Sequence, residues 1–270
     1  MIKSKSLDFC LLIPCYDSLD GLLLSLRSVV YYPDRFMVLI VDDGSAVPVS
    51  SASIRSGIKV NYPIFVLRNE VNKGITAALN RGLQWIEENE IANYIARLDC
   101  GDLCSPDRFY KQLDFLHSHH DVGLLGSWCI FEDRTKSFHY EYTTPTRHTD
   151  IKRALHFRNV FIHPTVVFET ALLKKVGHYP TNFIHAEDYA LFYKLIEITH
   201  SHILDEFLVV CEVNSEGISL KNRQSQLASR GQIVMEFGTN PFLKIVGLLR
   251  LYALRLLPKA LVLLLRKLAK

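Results

Sequence analysis

Four short apolar runs punctuate the first hundred residues, and each stops abruptly at polar residues. Phe9–Pro14 (FCLLIP) gives way to Cys15-Tyr16-Asp17. Met37–Val41 (MVLIV) gives way to Asp42-Asp43-Gly44-Ser45. Ile64–Leu67 (IFVL) runs into Arg68-Asn69, and Tyr94–Leu98 (YIARL) into Asp99. A strand that is apolar at nearly every position has no solvent-facing side, so it must be covered on both faces. Two intervening segments supply covers of helical period. Leu19–Val30 places Leu22, Leu23, Leu26, Val29 and Val30 on one side; the segment after Asn72-Lys73-Gly74 does the same with Ile75, Ala78, Leu79, Leu83 and Ile86. Strands alternating with amphipathic helices predict an α/β fold with parallel strands in this half.

In such sheets ligands bind beyond the carboxyl ends of the strands. The informative residues are therefore the polar ones just past each run. Most of these ends carry carboxylates, a poor surface for bare phosphate. They suit ribose hydroxyls and base edges, and a diphosphate held through a divalent metal.

The second half reads differently. Ser105–His119 begins like a helix N-terminus, with Ser, Pro and Asp in its first three positions. Val122–Phe131 and Phe138–Tyr142 read as strands, antiparallel to each other. Phe161–Phe168 contains Pro164, which predicts a sheet edge or a bend. Ala186–Thr199 has helical spacing, with Glu187 and Asp188 in its first turn, and Phe207–Val213 reads as the last core strand.

The motifs then carry a resemblance. Ile13-Pro14-Cys15-Tyr16-Asp17, Val41-Asp42-Asp43-Gly44-Ser45, Asn72-Lys73-Gly74 with Asn80, Ala96-Arg97-Leu98-Asp99 with Asp102, and Glu187-Asp188-Tyr189 occur in the order and spacing of glycosyltransferase family 2. The resemblance covers roughly residues 9–215 and implies the GT-A fold, a Rossmann-like mixed sheet, with inversion at the anomeric carbon. It implies a nucleotide-sugar donor, UDP-linked by preference, and a saccharide or lipid-linked acceptor in lipopolysaccharide, O-antigen or capsule assembly. Asp43 would hold the nucleoside, with Pro14, Tyr16 and Asp17 lining the other side of the base; Asp42 would serve its own turn. Asn72 and Lys73 would sit at the pocket rim, although Asn72 also reads as a plain helix N-cap. Arg97 would pair with the neighbouring carboxylates. Asp99 and Asp102 would bind Mn²⁺ or Mg²⁺. Asp188 would be the general base and Glu187 its partner in positioning the acceptor. His163 and His185 could touch acceptor or phosphate, but a lone histidine reads more readily as structural.

The family's usual metal motif is Asp-Ala-Asp-Asp, whereas this chain has Asp99-Cys100-Gly101-Asp102, with glycine at the middle carboxylate. That substitution alone favours a second reading, a catalytically decayed module that binds a nucleotide sugar and tethers a membrane complex. A dinucleotide-dependent oxidoreductase is disfavoured, since no Gly-x-Gly-x-x-Gly follows the first strand.

Charge separates the end of the chain from its body. The chain has 270 residues and a formal net charge of +3, yet residues 237–270 hold seven Lys/Arg and no Asp or Glu. Phe242–Leu257 and Pro258–Leu268 read as two apolar, basic helices, the pattern of a segment lying on an anionic membrane; docking on a protein partner is the alternative. The segment is too rich in leucine for nucleic acid. The expected division is a catalytic domain over 1–236, with a donor half of about 1–105 and an acceptor half of about 106–236, followed by a membrane-association tail over 237–270. Six cysteines scattered in or near apolar runs imply free thiols in a reducing compartment. The first apolar run is too short for a secretory signal, and no stretch approaches the ~18 uncharged apolar residues of a span. The expected location is the cytoplasmic face of the cell membrane, peripherally bound.

Overall fold

The computed structural model describes residues 7–135, 138–213 and 222–256. The first half follows the expected alternation: β1 (Leu7–Cys15), α1 (Leu19–Arg27), β2 (Phe36–Asp42), α2 (Ser51–Gly57), β3 (Ile64–Arg68), α3 (Ile75–Glu88) and β4 (Ala92–Arg97). These strands pair in parallel in the order β3-β2-β1-β4, so their carboxyl ends share one edge. Helix α2 was not legible as an amphipathic segment. It starts from a reciprocal cap in which Ser50 and Ser53 each satisfy the other's backbone N–H.

The second half turns the sheet mixed. It contains β5 (Leu103–Cys104), α4 (Arg108–Ser118), β6 (Val122–Asp133), β7 (Phe138–Tyr142), α5 (His148–Ala154), β8 (Val167–Glu169), α6 (Leu173–Val176), α7 (Glu187–Ile196), β9 (His200–Glu212), α8 (Arg223–Phe237) and α9 (Pro241–Leu256). The sheet continues from β4 through β8, β6 and β9 to β5. Strand β8 is antiparallel to both β4 and β6, β6 is parallel to β9, and β7 pairs antiparallel with the far end of β6. The segment Phe161–Phe168 was expected at an edge or a bend. Pro164 does lie in a bend, a 3₁₀ turn over His163–Thr165, but the strand that follows is interior. The bend places the proline before the ladder begins, so no ladder hydrogen bond is lost.

Two apolar layers cover the sheet. Alternate residues of β1 feed them: Cys10 and Leu12 join the layer under α3, α5, α7 and α8, while Phe9, Leu11 and Ile13 join the layer under α1, α2 and α4. An aromatic stack anchors the second layer, with Phe9 4.5 Å from Phe109 and 5.0 Å from Phe36 between ring centroids. All six cysteines are free thiols. Helix α9 packs on α8, and its Gly247 is wedged against the main chain of α5's end: a Cβ there would lie 2.0 Å from the His156 carbonyl oxygen. The basic stretch over 258–268 lies outside the described residues.

Phe109→Ala removes a fully buried ring from this stack. It is expected to lower unfolding stability by about 3–5 kcal/mol, read as a shift of the urea midpoint at unchanged slope.

Candidate active site

The parallel strands deliver four polar loops to one edge, and those loops are tied to one another. The Asp17 backbone N–H donates to Ser45 Oγ (2.9 Å), and the Ala46 N–H donates to Asp17 Oδ1 (2.7 Å). The loops after β1 and β2 therefore form one unit, with Tyr16 and Asp17 exposed on it and Pro14 half-buried behind them. Asp42 serves its own turn as expected: Oδ1 accepts from Ser45 N–H and Oδ2 from Val49 N–H, and Arg68 pairs with it.

Asp43 is buried, and its carboxylate is already engaged. Oδ1 accepts from Asn69 Nδ2 (2.6 Å) and from the Lys73 N–H (3.1 Å); Oδ2 accepts from the Gly74 N–H (2.8 Å). An anion is favourable at this point, because Gly74 is the N-cap of α3. Asn72 is not that cap; its Oδ1 instead accepts from the Gly74 N–H two residues on. Asp43 thus shapes the rim on which the exposed side chains of Asn72 and Lys73 stand. Gly44 is required here: it adopts φ +76°, and a Cβ would lie 2.4 Å from the Val71 carbonyl carbon passing over it.

Arg97 is fully buried at the end of β4. Its guanidinium donates to Leu12 O, to Leu98 O (3.1 Å), to Asp99 Oδ1 (2.6 Å) and to His163 Nε2 (3.2 Å). The same His163 nitrogen lies 2.7 Å from the Tyr179 hydroxyl. Burial and the adjacent Arg97 hold the His163 imidazole well below its usual pKa, so it is a neutral member of this network. His185 stands outside it, in the left-handed region at φ +61°, its carbonyl accepting from Gln226 of α8.

The turn after β4 holds the expected metal residues. Asp99 leaves 35% of its side chain exposed at the edge. Asp102 does not: it is 6% exposed, and its Oδ1 accepts the Glu212 N–H (2.8 Å). Burial, reinforced by Asp99, raises the Asp102 carboxyl well above the usual carboxylate range. The expected pair therefore divides, with Asp99 at the rim and Asp102 inside. Among the described residues no three His, Cys, Asp or Glu side chains stand ready to hold an ion. The oxygen donors at the rim nevertheless suit Mg²⁺ or Mn²⁺, which take one or two carboxylates together with substrate phosphates. Gly101, in the left-handed region at φ +98°, leaves open the space of a missing side chain, and an oxygen of Glu212 fills it. The donor set and this cradle fit a hard cation.

Facing this edge is the start of α7. Glu187 is buried, and burial together with the adjacent Asp188 pushes its carboxyl up to about 7, with Asp99 adding to the effect. Burial also raises Asp188. Its Oδ1 accepts the Tyr189 N–H (2.7 Å), and its Oδ2 accepts Asn159 Nδ2 (2.9 Å). Asp99 thus contributes to the electrostatic environment of both acids, although 88 residues separate it from Glu187. The strand-end carboxylate and the helix-start pair thus lie near enough for their charges to act on one another. Asn159, Tyr179, Arg134 and Glu212 were missed from sequence. Only Glu212 carried a signal, as a carboxylate at the end of an apolar strand.

Comparisons with known proteins identify the family and the fold. The family described as Glycosyl transferase family 2 matches residues 10–176. The amylovoran biosynthesis glycosyltransferase AmsE of Erwinia amylovora is 29% identical over 173 residues, 63% of this chain and 62% of that protein. An Escherichia coli UDP-Gal:alpha-D-GlcNAc-diphosphoundecaprenol beta-1,3-galactosyltransferase is 32% identical over 164 residues, 60% of this chain and 56% of its own length. The chain therefore aligns with less than two thirds of each of these relatives. Staphylococcus aureus TarS 1–349 in complex with UDP-GlcNAc superposes with TM-score 0.64 at 18% identity, over 90% of this chain and 70% of that one. The mannosyltransferase PcManGT of Pyrobaculum calidifontis, in complex with GDP-Man and Mn²⁺, gives 0.63 at 17%, over 93% and 70%. These superpositions establish the fold.

The Glu187 carboxyl predicts a pH effect. The folded protein holds its proton more tightly than the unfolded chain, so this group's contribution to stability falls as pH rises from about 4.5 to about 7. In Glu187→Gln that contribution is absent. The stability difference between the two proteins, measured by urea unfolding at pH 5 and pH 8, should change by up to about 3 kcal/mol in favour of the variant at the higher pH.

Proposed function

The chain belongs to glycosyl transferase family 2, and from that membership and the cleft's geometry we propose that it is an inverting glycosyltransferase. It moves a sugar from a nucleotide donor, UDP-linked, to a saccharide or lipid-linked saccharide acceptor in the assembly of a bacterial surface polysaccharide. The observation that carries this reading is that Asp99, just past the carboxyl end of β4, lies near enough to the Glu187-Asp188 pair of α7 to raise both carboxyls. The donor class draws support from the UDP-Gal galactosyltransferase relative, and the lipid-linked acceptor from that relative's diphosphoundecaprenol substrate.

Each residue has a physical task. The joined loops of Pro14–Asp17 and Asp43–Ser45 receive the nucleoside, with the exposed Tyr16 ring offering a stacking face. Lys73 stands at the rim as a cation for the diphosphate. Asp99 holds a divalent cation which, when bound, offsets the charge that develops on the leaving nucleoside diphosphate. Asp188 takes the proton from the acceptor hydroxyl as that oxygen attacks the anomeric carbon from the face opposite the diphosphate. Its raised carboxyl is closer to the pH at which a base works than an ordinary aspartate would be. Glu187, protonated or ionised near neutrality, orients the hydroxyl.

Helix α9 supports a peripheral membrane location on the cytoplasmic face. Phe242, Ile245, Leu249, Tyr252 and Leu256 are exposed along it at helical spacing, with Leu249 64% exposed. Lys244 and Arg255 flank this stripe on one side and Arg250 on the other. Apolar side chains turned outward between cations suit the interface of an anionic bilayer. No helix among the described residues is long and apolar enough to cross a membrane.

Two outcomes test this function. Asp188→Asn should lower turnover by about 10²–10⁴ with the donor's KM unchanged, in a radiolabelled-sugar transfer assay; turnover equal to wild type removes Asp188 as the base. Leu249→Glu with Tyr252→Glu should abolish flotation with phosphatidylglycerol vesicles while leaving UDP binding intact, and continued flotation removes α9 as the docking face.

A further inference from the structure

The turn Asp99-Cys100-Gly101-Asp102 lacks a side chain at its centre, and the space is not empty. A Cβ built on Gly101 would lie 2.4 Å from Glu212 Oε2. That oxygen belongs to a residue 111 positions away, at the end of β9. The sheet brings them together: β5, which follows the turn directly, pairs with β9 through Leu103 and Val210. The Glu212 backbone is fixed as well, because its N–H donates to Asp102 Oδ1.

One further contact sets the direction of the Glu212 carboxylate. The Arg134 guanidinium donates to Gly101 O (2.8 Å), pairs with Glu132 Oε2 (3.2 Å), and lies 3.7 Å from Glu212 Oε1. Arg134 therefore faces one Glu212 oxygen, and the other projects over the glycine. The Glu212 side chain as a whole stays 42% exposed. Asp102 has the opposite character, buried with its Oδ1 already accepting an N–H.

Resting on the glycosyltransferase reading, we infer that Glu212 supplies the second carboxylate for the divalent cation, taking the place of the side chain that residue 101 lacks. Asp99 and Glu212 face the ion from two parts of the chain, and Asp102 holds the β9 backbone that carries Glu212. The glycine is then required twice, by its left-handed backbone and by the glutamate oxygen in its side-chain space.

The test is Mn²⁺ binding to the full chain in the presence of UDP, read as loss of the free-Mn²⁺ electron paramagnetic resonance signal. UDP binding in EDTA is measured alongside by calorimetry. Glu212→Gln keeps the side chain's shape and the backbone bond to Asp102. It should weaken Mn²⁺ binding at least tenfold, with metal-free UDP affinity and melting temperature unchanged. Mn²⁺ affinity equal to wild type in Glu212→Gln overturns the proposal. Asp102→Asn should retain Mn²⁺ affinity within about twofold where it folds, and the glutamate variant decides the matter where it does not. A wild-type protein that binds neither UDP nor GDP overturns the underlying glycosyltransferase reading, a result distinct from intact Mn²⁺ binding in the variant.

Discussion

A single buried guanidinium joins the two halves of this protein. A charge removed from water costs several kcal/mol unless it is paired and hydrogen-bonded, and Arg97 meets that demand with groups from three separate regions. It binds the Leu12 carbonyl of β1, the carboxylate of Asp99 in the next turn, and His163 from the bend before β8. Its own main chain continues the link: its N–H donates to Val166 O, and its carbonyl accepts from the buried Arg108. The parallel strands, the turn at Asp99 and the bend before β8 are thereby held together. Without this arrangement Asp99 would be a free loop carboxylate. With it, Asp99 is held at the end of β4 by its ion pair with Arg97, where its charge reaches Glu187 and Asp188.

The same dependence runs outward from the acceptor side. Asn159 bonds Asp188, and its Oδ1 also accepts from the Phe161 N–H, so the amide is held from both ends. The loop before α7 is fixed by α8, through Ser229 to Ile184 O and Gln226 to His185 O. Helix α9 rests on His156, whose Nε2 accepts from the Asn240 N–H. The outward apolar stripe of α9 is therefore connected through packed elements to the loops that position the proposed base.

The first half was legible because its signals are local. An apolar run such as Met37–Val41, short and closed by turn residues, reads as a buried strand, and its abrupt end at Asp42 marks the polar edge of the sheet. The second half was less legible because its order comes from distant pairings. Strand β8 is only three residues long and becomes interior solely because β4 and β6 lie on either side of it. Nothing local in Asn159 or Tyr179 distinguishes them from other polar loop residues; tertiary contacts with Asp188 and His163 give them their places. The burial of Asp102 was not legible, for a related reason. Spacing put it beside Asp99, but the fold turned its carboxylate toward the β9 main chain. Asp43 fell between the two cases: its strand-end position was readable, while the use of both its oxygens by the loop before α3 was not.

The central claim is that carboxylates from both halves converge on one nucleotide-sugar site. A crystal of the protein grown with UDP and Mn²⁺, with the ion located by anomalous scattering, tests it most directly. The account predicts uridine against the Pro14–Asp17 and Asp43–Ser45 loops, the manganese peak beside Asp99, and the Asp188 carboxylate facing the open side of the diphosphate. A nucleotide bound away from these loops, or a manganese peak remote from Asp99, would contradict it.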